Sequence, residues 1–373
     1  MKEEPTPQVP TEEGRSESSA SAREPALTPL GTPPRPPVRS REGDIIHTSP
    51  ELAVGEGDVR TAEEGTLEIL SGTSLWKDAW RRLLRNKLAV FGLVVVSLII
   101  LISLVGPPII KATTGFDYDD IPSDSKLIRS FPPFTASDGK SFSWQHPMGT
   151  DSAGRDMLAR VLLGGRISLM VGLISTVVSL IIGISYGATA GYLGGKIDDL
   201  MMRVVDVLYA IPYMMIVIVL LAMFGGESAM GQLILLFVAL GAVSWLTMAR
   251  IVRGQVISLK NQEFVLAARA TGVSTGRIIF RHLVPNTLGP VIVYATLTIP
   301  SVMLQEAFLS FLGLGVQAPL ASWGSLAAEG IQNIAVFPWQ LIFPGVTMAL
   351  TLFSLNFLGD GLRDALDPQM RKF

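Results

Sequence analysis

Hydrophobic and polar positions along the chain segregate into long blocks. Six stretches, residues 88–105, 167–190, 207–224, 228–249, 283–305 and 336–358, contain no Asp, Glu, Lys or Arg. A helix needs roughly 20 mostly apolar residues to cross a bilayer. Buried helices of a soluble protein rarely give six uncharged runs of this length. The pattern therefore predicts an all-α polytopic membrane protein with six transmembrane helices. Composition agrees, with 49% hydrophobic and only 17% charged residues, against about 25% charged in a soluble domain. The chain has no cysteine. That excludes disulfides, thiolate metal sites and cysteine nucleophiles.

The blocks also divide the chain. Residues 1–75 read as a disordered cytoplasmic tail rich in Pro, Ser and Glu, with ten of the chain's 24 prolines in the first fifty positions. Such a segment cannot bury enough apolar surface to offset its chain entropy. Its run TPPRPPVR, at 32–39, reads either as a polyproline ligand or simply as part of a solvated tail. Residues 76–165 hold the first span and a long extracytoplasmic loop. Residues 166–373 hold the remaining spans and a polar, basic segment at 251–285.

Charge gives the expected orientation, because Lys and Arg concentrate in short cytoplasmic loops. Lys77, Arg81, Arg82, Arg85 and Lys87 precede the first span. With six alternating spans, Lys196, Arg203, Arg250, Arg253, Lys260, Arg269, Arg277, Arg281, Arg363, Arg371 and Lys372 fall on that same side. Loops 225–231 and 313–335 carry no Lys or Arg. The expectation is cytoplasmic N- and C-termini. The basic residues of the 106–166 loop do not conflict, since loops of about 60 residues translocate largely regardless of charge.

Candidate chemistry is sparse. In the long loop, Asp151 and Arg155 are spaced i, i+4, as are Asp156 and Arg160, with the acid first, the better order on a helix. Thr150 or Asp151 would cap that helix. The segment reads either as a solvated amphipathic helix leading into the second span or as a docking or gating element on the outer face (Asp151, Arg155, Asp156). Gly183, Gly187 and Gly191 recur every four residues, which places a helix-packing stripe on one face of the second span. The GISYG around Ser185 matches a hydrolase pattern that needs a strand–turn–helix setting, so within a membrane helix it is rejected. No phosphate-binding G-x-x-x-x-G-K-[ST] and no H-E-x-x-H occurs. His47, His146 and His282 are far apart in sequence, so no metal site and no catalytic residue is assigned. Asp206, near the inner end of the third span, is read as a structural ion-pair member. Glu306, near the outer end of the fifth, is read either as a pathway-lining group or as a helix-end polar contact.

The 263–285 segment between the fourth and fifth spans is the most informative. Residues 261–271 favour helix. Gly272 fits a left-handed C-cap. Ser274 fits the cap of a second helix running to His282. Pro285 then marks the start of the fifth span. The product is a compact knob whose small Ala267 and Ala268 would let another protein approach closely. An amphipathic helix on anionic lipid would explain the arginines, but not the Ala-Ala-x-x-x-Gly spacing.

From about Trp76 to Phe373 the chain resembles the C-type permease subunit of the dipeptide/oligopeptide/nickel class of ABC importers. Four motifs carry the resemblance: LLRNKLAVFGLVV, GTDSAGRDMLARVLLGGRISL, EFVLAARATGVSTGRIIFRHLVPN and GDGLRDALDPQ, in that order. The third resembles the family's "EAA" coupling loop. It departs in one respect: Leu266 stands where the general pattern has glutamate, and Glu263 lies three residues earlier. The resemblance implies a type I ABC importer (MetI-like) permease fold. It implies an ATPase-docking loop that includes Glu263, Ala267, Ala268, Arg269, Gly272 and Pro285. It implies a homologous second permease, two cytoplasmic P-loop ATPase subunits, an extracytoplasmic substrate-binding protein and membrane lipid as partners, with no nucleic acid. No cofactor is expected on this chain, with ATP and Mg on the ATPases. The implied location is a bacterial or archaeal cytoplasmic membrane. The implied function is ATP-driven import of peptides or related small solutes. An ion-coupled secondary transporter and a membrane scaffold or sensor are the alternatives. The first should show mid-membrane polar residues and an internal repeat. The second leaves the outer GRD segment unexplained.

Overall fold

The computed structural model describes residues 75–122, 129–136, 141–225 and 228–366. The 1–75 tail, except Leu75, and the terminal cations Arg371 and Lys372 lie outside the described residues. Helix α1 (Leu75–Arg85) ends at Asn86, whose side chain accepts hydrogen bonds from the Leu88 and Ala89 N–H groups. That cap starts α2 (Lys87–Thr114). An irregular loop leads to α3 (Met157–Leu193), which is followed by α4 (Gly195–Ala210) and α5 (Tyr213–Phe224). Next come α6 (Ala229–Leu259), capped by Ser228, and the short α7 (Glu263–Ala270). Helix α8 (Thr275–Phe311) contains a wider, π-helical turn at Ile278–Leu283. Helices α9 (Trp323–Gln332) and α10 (Trp339–Leu366) complete the described chain.

Five of these, α2, α3, α6, α8 and α10, are long and apolar enough to cross a membrane. The third expected span is different. Residues 207–224 do not form one helix, because α4 and α5 meet at 79°. Proline explains the break. Pro212 has no N–H to donate, and its ring drives the residue before it out of the helical region. Ile211 accordingly sits at φ −80°, ψ 130°. Helix α5, at 12 residues, is about 18 Å long, well short of a hydrocarbon core of roughly 30 Å. The expectation of six uniform spans is thus corrected to five unbroken helices and one bent pair.

The most extensive helix packing joins α3 to α6, through the glycine stripe. A Cβ on Gly183 would lie 2.6 Å from the Met248 side chain. On Gly187 it would collide with the Ala249 carbonyl, and on Gly191 it would lie 2.9 Å from the Arg253 carbonyl. The expected packing face is therefore present, and α6 is what it packs on. Helix α10 lies against α2, α8 and α9. One apolar cluster, with Val252, Val256, Val265, Ile278 and Leu283, fills the end of the bundle near α7. Another, around Val96, Val161, Met303 and Trp323, fills the opposite end.

Candidate functional site

Helix α6 ends at Lys260, whose Nζ donates to the Gly191 carbonyl at 3.0 Å. Helix α7 then turns Val265 and Ala268 into the core. The turn that follows is built as the sequence predicts. Gly272 has φ +76°, its N–H donates to the Arg269 carbonyl, and the Val273 N–H donates to the Ala268 carbonyl. This pair of bonds closes a helix around a left-handed glycine. Val273 packs beside Ala268 in the same cluster, which holds the exit angle of the chain.

Two expectations for the loop change. Ala268 does not face outward with Ala267. It is buried against the chain's own core, and Glu263, Phe264, Leu266, Ala267, Arg269 and Ala270 are exposed. Ala268 is buried while Ala267 is exposed, so the two alanines do not share one outer face. The second helix also does not stop at His282. It starts after Ser274 and continues into the fifth span as one helix, α8. The π-helical turn makes this possible. Pro285 cannot donate to a carbonyl one turn back, and the wider turn just before it bonds the Val284 N–H to Ile279 instead. Asn286 Nδ2 takes up the His282 carbonyl at 2.6 Å.

Arg269 ties the knob to the bundle. Its guanidinium lies 4.9 Å from the centre of the Tyr192 ring and its Nε donates to the Tyr192 hydroxyl at 3.2 Å. Two further arginine contacts brace this end. Asp206 forms the expected ion pair, with Arg250 at 2.7 Å. Arg253 forks onto Asp198 through Nε at 2.6 Å and Nη2 at 2.8 Å, a geometry suited to guanidinium. This second pair joins residues 55 positions apart, and no local spacing announces it. Pro285 is exposed and lines a cavity of about 730 Å³ with Asn286, Tyr294, Arg82 and Arg363.

The opposite end holds a different cluster. Asp151 does not cap a helix, and neither does Thr150. Asp156 is the N-cap of α3, accepting from the Ala159 N–H at 2.8 Å. Asp151 closes the loop before it by accepting from the Ala153 and Arg155 N–H groups. Its carboxylate also takes Arg155 Nε at 2.7 Å and Arg160 Nη1 at 2.6 Å. The Asp151–Arg155 contact is present, but on a loop. The Asp156–Arg160 contact is absent: Arg160 pairs with Asp151 and Glu329, and Asp156 lies 2.9 Å from His146 Nδ1. Nor is the segment a solvated amphipathic helix. Asp151, Asp156, His146 and Arg160 are all buried. Of the residues read as a docking or gating element, Asp151 and Asp156 are buried and, with Arg155, belong to a polar clamp between α3 and α9.

Glu306 is 1% exposed. Its Oε1 accepts from the hydroxyls of Ser310 at 2.7 Å and Ser322 at 2.6 Å. The geometry is that of a helix-end polar contact holding α9 against α8. Ser322 also accepts the Ser325 N–H that starts α9. No group of three or more metal-ligating side chains occurs among the described residues.

Five helices long and apolar enough to cross a membrane, with a short helix and a left-handed turn at one end of the bundle, define a polytopic membrane protein. Residues 179–372 match the family described as the binding-protein-dependent transport system inner membrane component. Residues 74–133 match the N-terminal TM domain of oligopeptide transport permease C. The chain belongs to this family of inner-membrane transport components. It is 48% identical to the oligopeptide transport system permease protein OppC of Haemophilus influenzae, over 81% of this chain and 91% of that protein. The Escherichia coli K12 protein of the same description is 49% identical, over 81% and 94%. The dipeptide transport system permease protein DppC of Bacillus subtilis is 44% identical, over 80% and 87%.

Proposed function

We propose that this chain is a permease subunit of an ATP-driven importer of peptides or related small solutes. The observation that carries the reading is the α7–turn–α8 unit. A short helix with Glu263, Phe264, Leu266 and Ala267 exposed is joined, through the Gly272 turn, to a 37-residue helix long and apolar enough to cross a membrane. Relatives described as oligopeptide and dipeptide permeases support the solute class. In this reading a homologous permease completes the pathway. Two P-loop ATPases, carrying ATP and Mg, dock on the 263–285 loops, and an extracytoplasmic binding protein delivers the solute. This chain has no phosphate loop of its own, so hydrolysis belongs to the partners. Nucleotide state and pathway conformation must then share a coupling free energy, and in this reading the exposed Glu263, Leu266, Ala267, Arg269 and Ala270 transmit it. Both termini are cytoplasmic in this arrangement, as the basic loops imply.

Gly272 tests the coupling. A Cβ there would meet nothing within 4 Å, so the cost of substitution comes from φ +76° and not from a clash. Gly272→Arg forces a side chain into the left-handed region, at about 1–3 kcal/mol, and sets a bulky cation beside the docking face. The subunit should insert and assemble in normal amounts while ATP-driven peptide uptake in proteoliposomes falls at least tenfold. Gly272→Asn, which tolerates the left-handed region, should keep most of the uptake. Normal uptake by the arginine variant would overturn the coupling role.

A further inference from the structure

Helix α1 sits at a boundary. A single residue, Asn86, separates it from α2, whose uncharged stretch begins at Leu88. That continuity holds α1 at the edge of the hydrocarbon. Successive helical residues turn by about 100°, which sorts the side chains of α1 into four arcs. Ala79 and Leu83 are buried against Leu358, Leu362 and Ala365 of α10 and against Ala89. Asp78 and Arg82 turn to the 730 Å³ cavity. Trp80, 53% exposed, and Leu84 form a bare apolar arc. Lys77, Arg81 and Arg85, at i, i+4 and i+8, form an exposed cationic arc beside it. The helix's acidic residue, Asp78, also lines the cavity and, at about 100° per residue, borders the cationic arc on its Arg85 side.

The buried arc is pinned, so the helix cannot roll. A Cβ on Gly361 of α10 would collide with Ala89 and lie 3.2 Å from Leu83. The apolar and cationic arcs therefore point in fixed directions, side by side, at the start of a membrane span. An apolar strip flanked by cations is the surface that a helix lying in the headgroup layer presents to lipid.

We propose that α1 is a binding element for anionic phospholipid. Lys77, Arg81 and Arg85 hold lipid phosphates, and Trp80 and Leu84 enter the boundary of the acyl chains. The charge is complementary, since cations next to a membrane attract anionic headgroups. The inference needs only that α2 spans the bilayer, and it stands apart from the solute and from the ATPase partners.

The test uses the full-length protein in phosphatidylcholine nanodiscs. These carry a minor fraction of dibrominated phosphatidylglycerol or, in parallel, the same fraction of dibrominated phosphatidylcholine. The Trp80 signal is the difference between wild type and Trp80→Phe, as the chain has six tryptophans. Each cation near an anionic surface enriches the lipid about fivefold. Brominated phosphatidylglycerol should thus quench Trp80 at least about fivefold more per lipid than brominated phosphatidylcholine. The preference should vanish in Lys77→Gln/Arg81→Gln/Arg85→Gln. It should also fade for the wild-type protein in roughly 1 M salt, where screening shortens to about 3 Å. The salt arm does not depend on how the variant folds. Equal quenching by the two lipids would overturn the proposal. Absence of quenching by either would also overturn it, and would show α1 covered by protein or standing in water.

Discussion

Arg160 and Glu329 divide one ion pair into two unequal halves. Arg160 is fully buried, while the Glu329 side chain is 49% exposed. Removing the buried cation leaves Asp151 enclosed with less charge to balance it, at roughly 3 kcal/mol. Removing the exposed acid costs less than about 1 kcal/mol. Arg160→Gln should therefore lower the thermal unfolding midpoint in detergent by several degrees, and Glu329→Gln should barely move it. Equal shifts would mean that the clamp is not buried in the folded protein. Residue-scale reading succeeded where the signal is local. Three glycines four apart share a helix face whatever they pack on, and Gly272 suits its turn on its own account. It failed where the partner is remote. Arg160 reaches Glu329 across 169 residues, so the i, i+4 spacing pointed to Asp156 instead. Ala268 was turned the wrong way because an eight-residue helix cannot be oriented without knowing what it lies on.

At the scale of elements, proline decides most of what periodicity could not. Uncharged length located the five unbroken apolar helices and the bent pair, but it cannot tell a straight helix from a broken one. Pro212 breaks the third span, whereas Pro107, Pro108, Pro290, Pro300 and Pro344 lie inside continuous helices. At Pro285 the neighbouring backbone is repaired within the helix. Just before Pro285 the chain widens to a π-helical turn and Asn286 covers a carbonyl. At Pro212 the chain turns away. Pro212→Ala should let α4 and α5 join. The absence of native cysteines makes the measurement direct. Spin labels on Val204→Cys and Val219→Cys, both exposed, should move apart towards the roughly 22 Å of an unbroken 15-residue separation. An unchanged distance would assign the bend to tertiary packing and not to proline.

The whole molecule is not self-sufficient. In each membrane-length helix, most of the apolar window is left unburied by the rest of the chain. Exposed residues such as Leu98, Leu173, Ile181, Met223 and Phe353 need lipid or a partner around them. The orientation of that surface can be read with single cysteines. Phe142→Cys lies near the polar clamp, and Lys196→Cys lies beyond the other end of α3. In intact cells a membrane-impermeant maleimide should label the first, and should reach the second only after permeabilisation. The reverse pattern would invert the proposed topology.

Helix α8 runs unbroken for 37 residues, a length of about 55 Å. One end is set by Gly272 and the other is held by Glu306 and Ser322. A continuous helix that moves as one body in a bilayer would behave as a see-saw. A tilt of about 10° around its middle displaces each end by roughly 5 Å, in opposite directions, over the length the helix rise gives. Widening at one face of the membrane is then narrowing at the other. Mutual exclusion of the two openings would follow from the length of one helix, with no separate gate required.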